Sequence, residues 1–505
     1  MSKRSLKTSF VVNLFAPTVR LAIGMVTIPI FLRHVGDARF GVISIGWLLL
    51  GYFGFLDLGL SRATTNALAK LREAPQHERA RVLLTTMVLN LGFGLIGGFV
   101  LFIVGGYLLE HFVSIPDALR PEVVWSFPWL TCLLPMSLLS GAAIGALESR
   151  ERFLLANSLQ ILGVTLTQIV SVVVAVFVSP SLKVIIPAIA IADAASIVVI
   201  LAAVHRIEGP FSLRSFDRRE ARTLLGYGGW VSVSNLIAPI LVAADQFLIG
   251  SVIGVAAVAH YAVPMNLVTR SQIFPAALGR TFFPRMSSST GDEARELAVR
   301  ALSALGFGFA AVCAPAIILS PTFFRYWIGA DFATFAAPVA QILFLGAWIN
   351  GLAFLAFHLM QSQGRPDLTG KLHIAEVAPF LAILWVLTAK LGINGAAIAW
   401  SLRCAVDAFA MFWGAGILRN GVLSALRPAF LLGASGVGAH FIGFNLALAL
   451  SAAVVVGVIS MALAYAFSED WRHLFDTVSV RGRELADHAI RRIKPTQGAD
   501  PKTLQ

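Results

Sequence analysis

Apolar runs long enough to cross a lipid bilayer repeat along almost the whole chain, and this restricts the fold more than any other feature. A hydrocarbon core takes roughly 20 consecutive apolar residues per helical span. Such runs lie near residues 10–31, 40–61, 83–109, 123–147, 153–179 and 184–204. They recur near 224–249, 256–279, 299–320, 333–361, 370–389, 395–418, 428–443 and 446–467. The count is fourteen, or thirteen if the short turn around Gly443 lies within one long segment. Of the 505 residues, 57% are apolar and 13% are charged, against about a quarter charged in soluble proteins. A soluble globular enzyme is excluded. The expected fold is all-α: a polytopic membrane protein of about 14 transmembrane helices, with two pseudo-symmetric six-helix bundles and a C-terminal helix pair.

Charge sets the orientation. With the N-terminus on the cytoplasmic side, 30 of the 39 Lys and Arg fall in inner loops and 6 in outer loops, the bias expected of the positive-inside rule. The bias persists only if an even number of spans precedes the basic C-terminal tail, which favours fourteen. Both termini are then cytoplasmic, and the net charge of +12 needs no nucleic-acid partner. The first run follows Lys3, Arg4 and Lys7, yet it contains Arg20 and has no A-x-A cleavage site, so it reads as a retained helix. Cys132, Cys313 and Cys404 lie far apart in apolar spans. They read as small buried hydrophobes, with neither a disulfide framework nor a metal site indicated.

A short string repeats at an offset of 222 residues: Asn13-Leu14-Phe15-Ala16-Pro17 and Asn235-Leu236-Ile237-Ala238-Pro239. It opens each group of six spans, so the halves read as like-oriented bundles related by an axis along the membrane normal, with a site expected between them. The chain divides into an N-terminal lobe (1–210), a C-terminal lobe (211–420), a helix pair (421–468) and a basic cytoplasmic tail (469–505). Pro17 and Pro239 free the carbonyls of Asn13 and Asn235 and bend their helices. Such bends are tolerated in lipid only where protein or a wet cavity satisfies the backbone. The two prolines are therefore either hinges beside a cavity or static kinks.

Asn13, Pro17, Arg20, Gly24 and Thr27 share one helix face. Arg270 lies midway along the eighth span, in the other half. Two arginines facing one cleft would suit phosphate, which guanidinium binds bidentately. Alternatively, each pairs with a buried carboxylate or snorkels to the surface. Arg403 and Asp407, four apart, read as an ion pair within one helix, and Asp57 reads as a structural residue at a span end. Asp193, Asp245 and Glu376 have no local partner of opposite sign, which makes them candidates for ion coupling. The sequence contains no P-loop, G-x-S-x-G, H-E-x-x-H or C-x-x-C, and outer loops of at most about a dozen residues leave no room for a periplasmic catalytic domain. No catalytic residue, metal or cofactor is expected.

Several stretches resemble the polysaccharide transporter family, the O-antigen and exopolysaccharide flippases of the multidrug/oligosaccharidyl-lipid/polysaccharide exporter (MOP) superfamily. They are Pro29 to Leu32 with His34-Val35-Gly36-Asp37-Ala38-Arg39-Phe40-Gly41, Leu56-Asp57-Leu58-Gly59-Leu60, and Ala146 to Phe153. In the second half they are Asp245-Gln246-Phe247-Leu248-Ile249-Gly250 with Tyr261, Phe283-Pro284, Tyr326-Trp327-Ile328-Gly329-Ala330-Asp331-Phe332, and Gly392 to Ala397. The order and spacing, spread over most of residues 10–420, carry the resemblance.

The resemblance implies a flippase of the bacterial inner membrane. It would turn an undecaprenyl-diphosphate-linked oligosaccharide from the cytoplasmic to the periplasmic leaflet by alternating access, for O-antigen or exopolysaccharide synthesis. Arg20 and Arg270, with Asn13 and Asn235, would bind the head group. Membrane lipids, an H+ or Na+ counter-ion, and a polysaccharide polymerase or chain-length protein are the implied partners. A cation-coupled multidrug extruder of the same superfamily is the alternative, disfavoured by the extra final helix pair and the intramembrane arginines. A membrane enzyme or assembly scaffold is a more distant third.

Overall fold

The computed structural model describes residues 19, 21–209, 216–222, 224 and 244–472. Asn13, Pro17, Arg20, Asn235 and Pro239 lie outside the described residues, as does most of the seventh span. Among the described residues every regular element is helical. In chain order these are α1 (Leu21–Val35), α2 (Asp37–Phe53), α3 (Leu60–Lys70), α4 (Gln76–Val100), α5 (Gly106–His111), α6 (Arg120–Thr131), α7 (Leu133–Ser149), α8 (Phe153–Phe177) and α9 (Leu182–Glu208). There follow α10 (Val255–Ser271), α11 (Ile273–Ser288), α12 (Gly291–Trp327), α13 (Ala330–Ser362), α14 (Pro366–Gly414), α15 (Leu418–Ile442) and α16 (Leu446–Phe467).

Ten helical segments among the described residues are long and apolar enough to span a bilayer. One of them, Asp367–Gly414, is broken at Gly392, whose φ of 63° and ψ of −145° lie where only glycine sits without strain. The break separates the eleventh and twelfth apolar runs. The eighth run is interrupted too: α10 ends at Ser271 and α11 begins at Ile273, because Pro275 has no N–H to donate back to Ser271. Phe177, Phe430 and Phe441 are each 81% exposed on their spans, the surface that a lipid solvent rather than water allows. Cys313 and Cys404 are buried as expected, whereas Cys132 is exposed, because it sits at the α6–α7 junction with its side chain outside the packed face.

The described residues form two compact units. The first comprises the chain up to Leu267 with Phe323–Ile342 and His373–Trp400; the second comprises Val268–Thr322, Leu343–Leu372 and the chain from Ser401 onward. In the first unit, Leu68, Leu83, Leu147, Ala156 and Val204 belong to one buried cluster joining α3, α4, α7, α8 and α9. Small residues permit the close crossings: a Cβ on Gly94 would lie 2.4 Å from the Cα of Pro135, and one on Gly145 would lie 2.6 Å from Thr65 Oγ1. Helices in lipid gain their association from this kind of contact, since lipid tails are as apolar as leucine.

The second unit packs α12, α13 and the end of α14 around Phe309, Trp348, Leu355 and Met411. The indole N–H groups of buried Trp348 and half-buried Trp471 find carbonyl partners, as buried Trp requires. Trp348 donates to Gly306 O at 2.8 Å and Trp471 donates to Ala304 O at 2.8 Å.

Candidate functional site

The loops expected to be poor in Lys and Arg meet at one end of the first unit. The turn His34 to Gly41 is the centre of this junction. Gly36, at φ 81°, ends α1 and starts α2, which sets Asp37 and Arg39 on the first turn of α2. Arg39 donates to both carboxylate oxygens of Glu122, at 2.9 and 2.8 Å. Glu122 in turn accepts the backbone N–H of Leu182 at 2.9 Å, fixing the α9 start.

Second-half residues close on the same turn. Asp37 lies 3.2 Å from His260 Nε2 on α10, and the His260 ring stacks at a tilt against Phe332 and Phe335, with centroids 4.8 and 5.0 Å away. Arg33 Nε donates to Ile328 O at 2.9 Å and Trp327 Nε1 donates to Met25 O at 2.6 Å. Ser114 N donates to Gly250 O at 3.0 Å, and Val255 N donates to Ser114 O at 3.3 Å. A Cβ on Gly41 would come within 1.7 Å of Val255 O, so nothing larger than glycine fits there. The segments 34–41, 245–250 and 326–332, which carry the sequence resemblance, thus meet at one end of the first unit.

Of the residues expected to bind substrate, only Arg270 is described. It is exposed on the last turn of α10, two residues before the break at Gln272, rather than midway along a continuous helix. Gln272 itself is held by donation to Ala347 O at 2.9 Å. Of the candidate ion-coupling residues, Asp245 is completely buried and accepts from the Tyr261 hydroxyl at 2.6 Å; the tyrosine grouped with it in sequence is its donor. Asp193 is half-buried on α9, and Glu376 is half-buried on α14 and engaged by its surroundings. Asp57 accepts from Ser61 Oγ at 2.5 Å and from Asn90 Nδ2 at 3.3 Å, tying the α3 start to α4.

The opposite, basic end of the first unit is organised by residues that sequence reading missed. Arg79 is fully buried and spends its guanidinium on Glu208 (2.6 and 2.8 Å), Leu71 O, Leu68 O and Ser149 Oγ. Arg150 forms a second fork onto Glu208, at 3.0 and 3.2 Å; this hydrogen bonding raises the Arg150 guanidinium further above its ordinary range. The available signal was weak: Arg79 stands one turn into an apolar helix, and Glu208 is the one carboxylate between Val204 and Phe216.

The described helices, long and apolar enough to cross a bilayer, define a multi-pass helical membrane bundle, and its fold is shared with known proteins. The chain is 12% identical to lipid II flippase MurJ in an inward closed conformation, with a TM-score of 0.65, 91% of this chain and 99% of that one being covered. It is 14% identical to an inward-facing multidrug resistance MATE family transporter of the MOP superfamily, with a TM-score of 0.63 and coverage of 83% and 98%. These likenesses show the fold. Residues 6–290 match the family described as polysaccharide biosynthesis protein, and the chain belongs to that family. It is 29% identical over 409 residues to the Shigella flexneri protein named "Putative O-antigen transporter", covering 79% of this chain and 95% of that protein.

Proposed function

We propose that the protein is a flippase that carries undecaprenyl-diphosphate-linked oligosaccharide repeat units from the cytoplasmic to the periplasmic leaflet, for O-antigen or exopolysaccharide synthesis. The junction around the 34–41 turn, taken as a closed gate, carries this reading. Alternating access needs one end of the pathway closed by contacts weak enough to break, and between the two halves of the chain Asp37–His260, Arg33–Ile328 and Trp327–Met25 are few, polar and partly exposed. By the distribution of Lys and Arg this is the periplasmic end, so the closed gate suits a state that receives substrate from the cytoplasmic leaflet. The relative named for O-antigen transport supports the substrate class.

In this reading the protein is a transporter and not an enzyme. Arg20 and Arg270, with Asn13 and Asn235, meet the diphosphate and sugars in the cleft, Pro17 and Pro239 bend as the lobes (1–210 and 211–420) rock, and the prenyl tail stays in lipid. Moving negative charge outward across an inside-negative membrane gains about 2.3 kcal/mol per charge per 100 mV. An H+ or Na+ counter-ion through Asp193, Asp245 or Glu376 therefore assists transport without being required. A polymerase or chain-length protein receives the product.

The test is flipping of a prenyl-diphosphate oligosaccharide in proteoliposomes, comparing wild type with Arg20→Ala and Arg270→Ala at matched insertion. Wild-type flipping that both substitutions abolish is the expected result. A wild type that leaves the lipid in place but extrudes a cationic dye would assign the protein to the multidrug extruders instead.

A further inference from the structure

At the basic end of the first unit lies a pocket of about 400 Å³ lined by Arg72, Arg150, Arg152, Arg206 and Ile207. Four arginines line it and no carboxylate does. Like charges gather this way only if other groups hold them, and two such groups are visible. Buried Glu208 orients Arg150 from behind, while Glu151 takes Arg72 at 2.7 Å. Glu151 itself stands at φ 59°, a left-handed conformation that costs a non-glycine residue free energy and persists where the surroundings fix it. Its turn sets Arg150 and Arg152 on either side, at the end of α7 and the start of α8.

The local charge is unbalanced. Arg72, Arg79, Arg150, Arg152 and Arg206 give five positive charges against Glu151 and Glu208, a surplus of three. Three helices end and two begin at this end of the unit, so their macrodipoles nearly cancel. The guanidinium groups of Arg152 and Arg206 make no hydrogen bond or ion pair with any described residue. Their planar, permanently charged donors match the geometry of phosphate oxygens.

We propose that this pocket binds a phosphoryl anion, the phosphate or diphosphate of a lipid headgroup or of a soluble ester, at a site separate from the transport cleft. The two anchored arginines fix the site and the two unengaged ones grip the ligand. Binding involves no transport, so the proposal stands or falls independently of the flippase reading.

The test uses the full-length protein in phosphatidylcholine nanodiscs, with inorganic pyrophosphate as probe in calorimetry and melting temperature as the fold control. Wild type is expected to bind one pyrophosphate per chain. The Arg152→Gln/Arg206→Gln pair should bind about 100-fold more weakly, as expected for two lost charge-assisted hydrogen bonds, at an unchanged melting temperature. Arg152→Lys/Arg206→Lys should retain part of the affinity. Farnesyl diphosphate supplied in the nanodisc separates the sources: displacement of pyrophosphate at lower concentrations assigns the site to lipid headgroups, and displacement at equal concentrations assigns it to soluble phosphates. Absence of pyrophosphate and farnesyl diphosphate binding in wild type, or equal binding by the folded Gln pair, overturns the proposal.

Discussion

Arg79 and Glu208 meet in a bidentate ion pair at 2.6 and 2.8 Å with both side chains wholly buried, although 129 residues separate them. The pair ties the start of α4 to the end of α9, while the remaining Arg79 donors hold the α3 end and Ser149. Removing one partner leaves a buried charge without its counter-charge, which costs about 3–5 kcal/mol. Glu208→Gln should therefore lower the melting temperature of the detergent-solubilised protein sharply. The double change Arg79→Met/Glu208→Leu should recover much of the loss, because replacing both ions by apolar groups avoids their desolvation. A Glu208→Gln protein as stable as wild type would contradict this account.

The junction around the 34–41 turn, read as a closed gate, makes a different prediction. Trp327→Phe keeps the ring but removes the donor to Met25 O, a net loss of about 1 kcal/mol suffered only in the closed state. That shifts the closed-to-open ratio by roughly fivefold, which amide hydrogen exchange over residues 25–35 and 324–332 should read as faster exchange. Global stability should change little. Unchanged exchange in those segments would mean that Trp327 does not help hold the gate.

Gly41→Ala is expected to be harsher. Its Cβ would lie 1.7 Å from Val255 O and 2.7 Å from the carbonyl carbon, and backbone cannot yield as a flexible side chain does. The variant should insert and fold but fail to seal this end, so that a thiol introduced at Ser251 reacts faster with a membrane-impermeant reagent than in the Gly41 background. Equal rates would show that the α2–α10 contact tolerates separation.

These contacts also show what could be read without a structure. The helices were legible because lipid imposes a length and a composition: the last span was placed at 446–467 and is α16, Leu446–Phe467. The turn strings at 34–41 and 326–332 stood out as blocks, yet nothing local paired Trp327 with Met25 or Asp37 with His260, since those contacts depend on which loops the fold brings together. Arg79 and Glu208 were passed over for the same reason. At a helix end a charge reads as interfacial, and only the packing of five helices around it shows that it is buried. The break at Gln272 was hidden because Pro275 in a long apolar run reads as a tolerated kink.

The segment 216–222, helical from residue 218, should respond to acid. Asp217 accepts the backbone N–H groups of Arg219 and Glu220, which hold its carboxyl below the ordinary aspartate range, with Arg81 3.7 Å away adding to the effect. A carboxyl whose folded pKa lies below its unfolded one contributes stability that is complete above the unfolded value and disappears as pH falls through the folded one. The segment should therefore stay docked through neutral and mildly acidic pH. It should lose exchange protection at Arg219 and Glu220 only below the usual aspartate range, and Asp217→Asn should abolish that pH dependence. Protection lost already at mildly acidic pH would point to another group.

Asp193 offers the sharpest test of ion coupling. It is half-buried on a span and its carboxyl carries no hydrogen bond or ion pair with any described residue, unlike that of Asp245, which Tyr261 engages at 2.6 Å. Carboxylates within spans are costly and usually mark ion or proton paths. Asp193→Asn is nearly isosteric and neutral, so it should leave the melting temperature at or above that of wild type. If Asp193 is the coupling residue, the substitution removes the dependence of flipping on an imposed pH or Na+ gradient while the response to membrane potential remains. If gradient dependence survives in a folded Asp193→Asn protein, coupling belongs to Asp245 or Glu376. In that case Asp245→Asn, which keeps an acceptor for Tyr261, is the substitution expected to remove it.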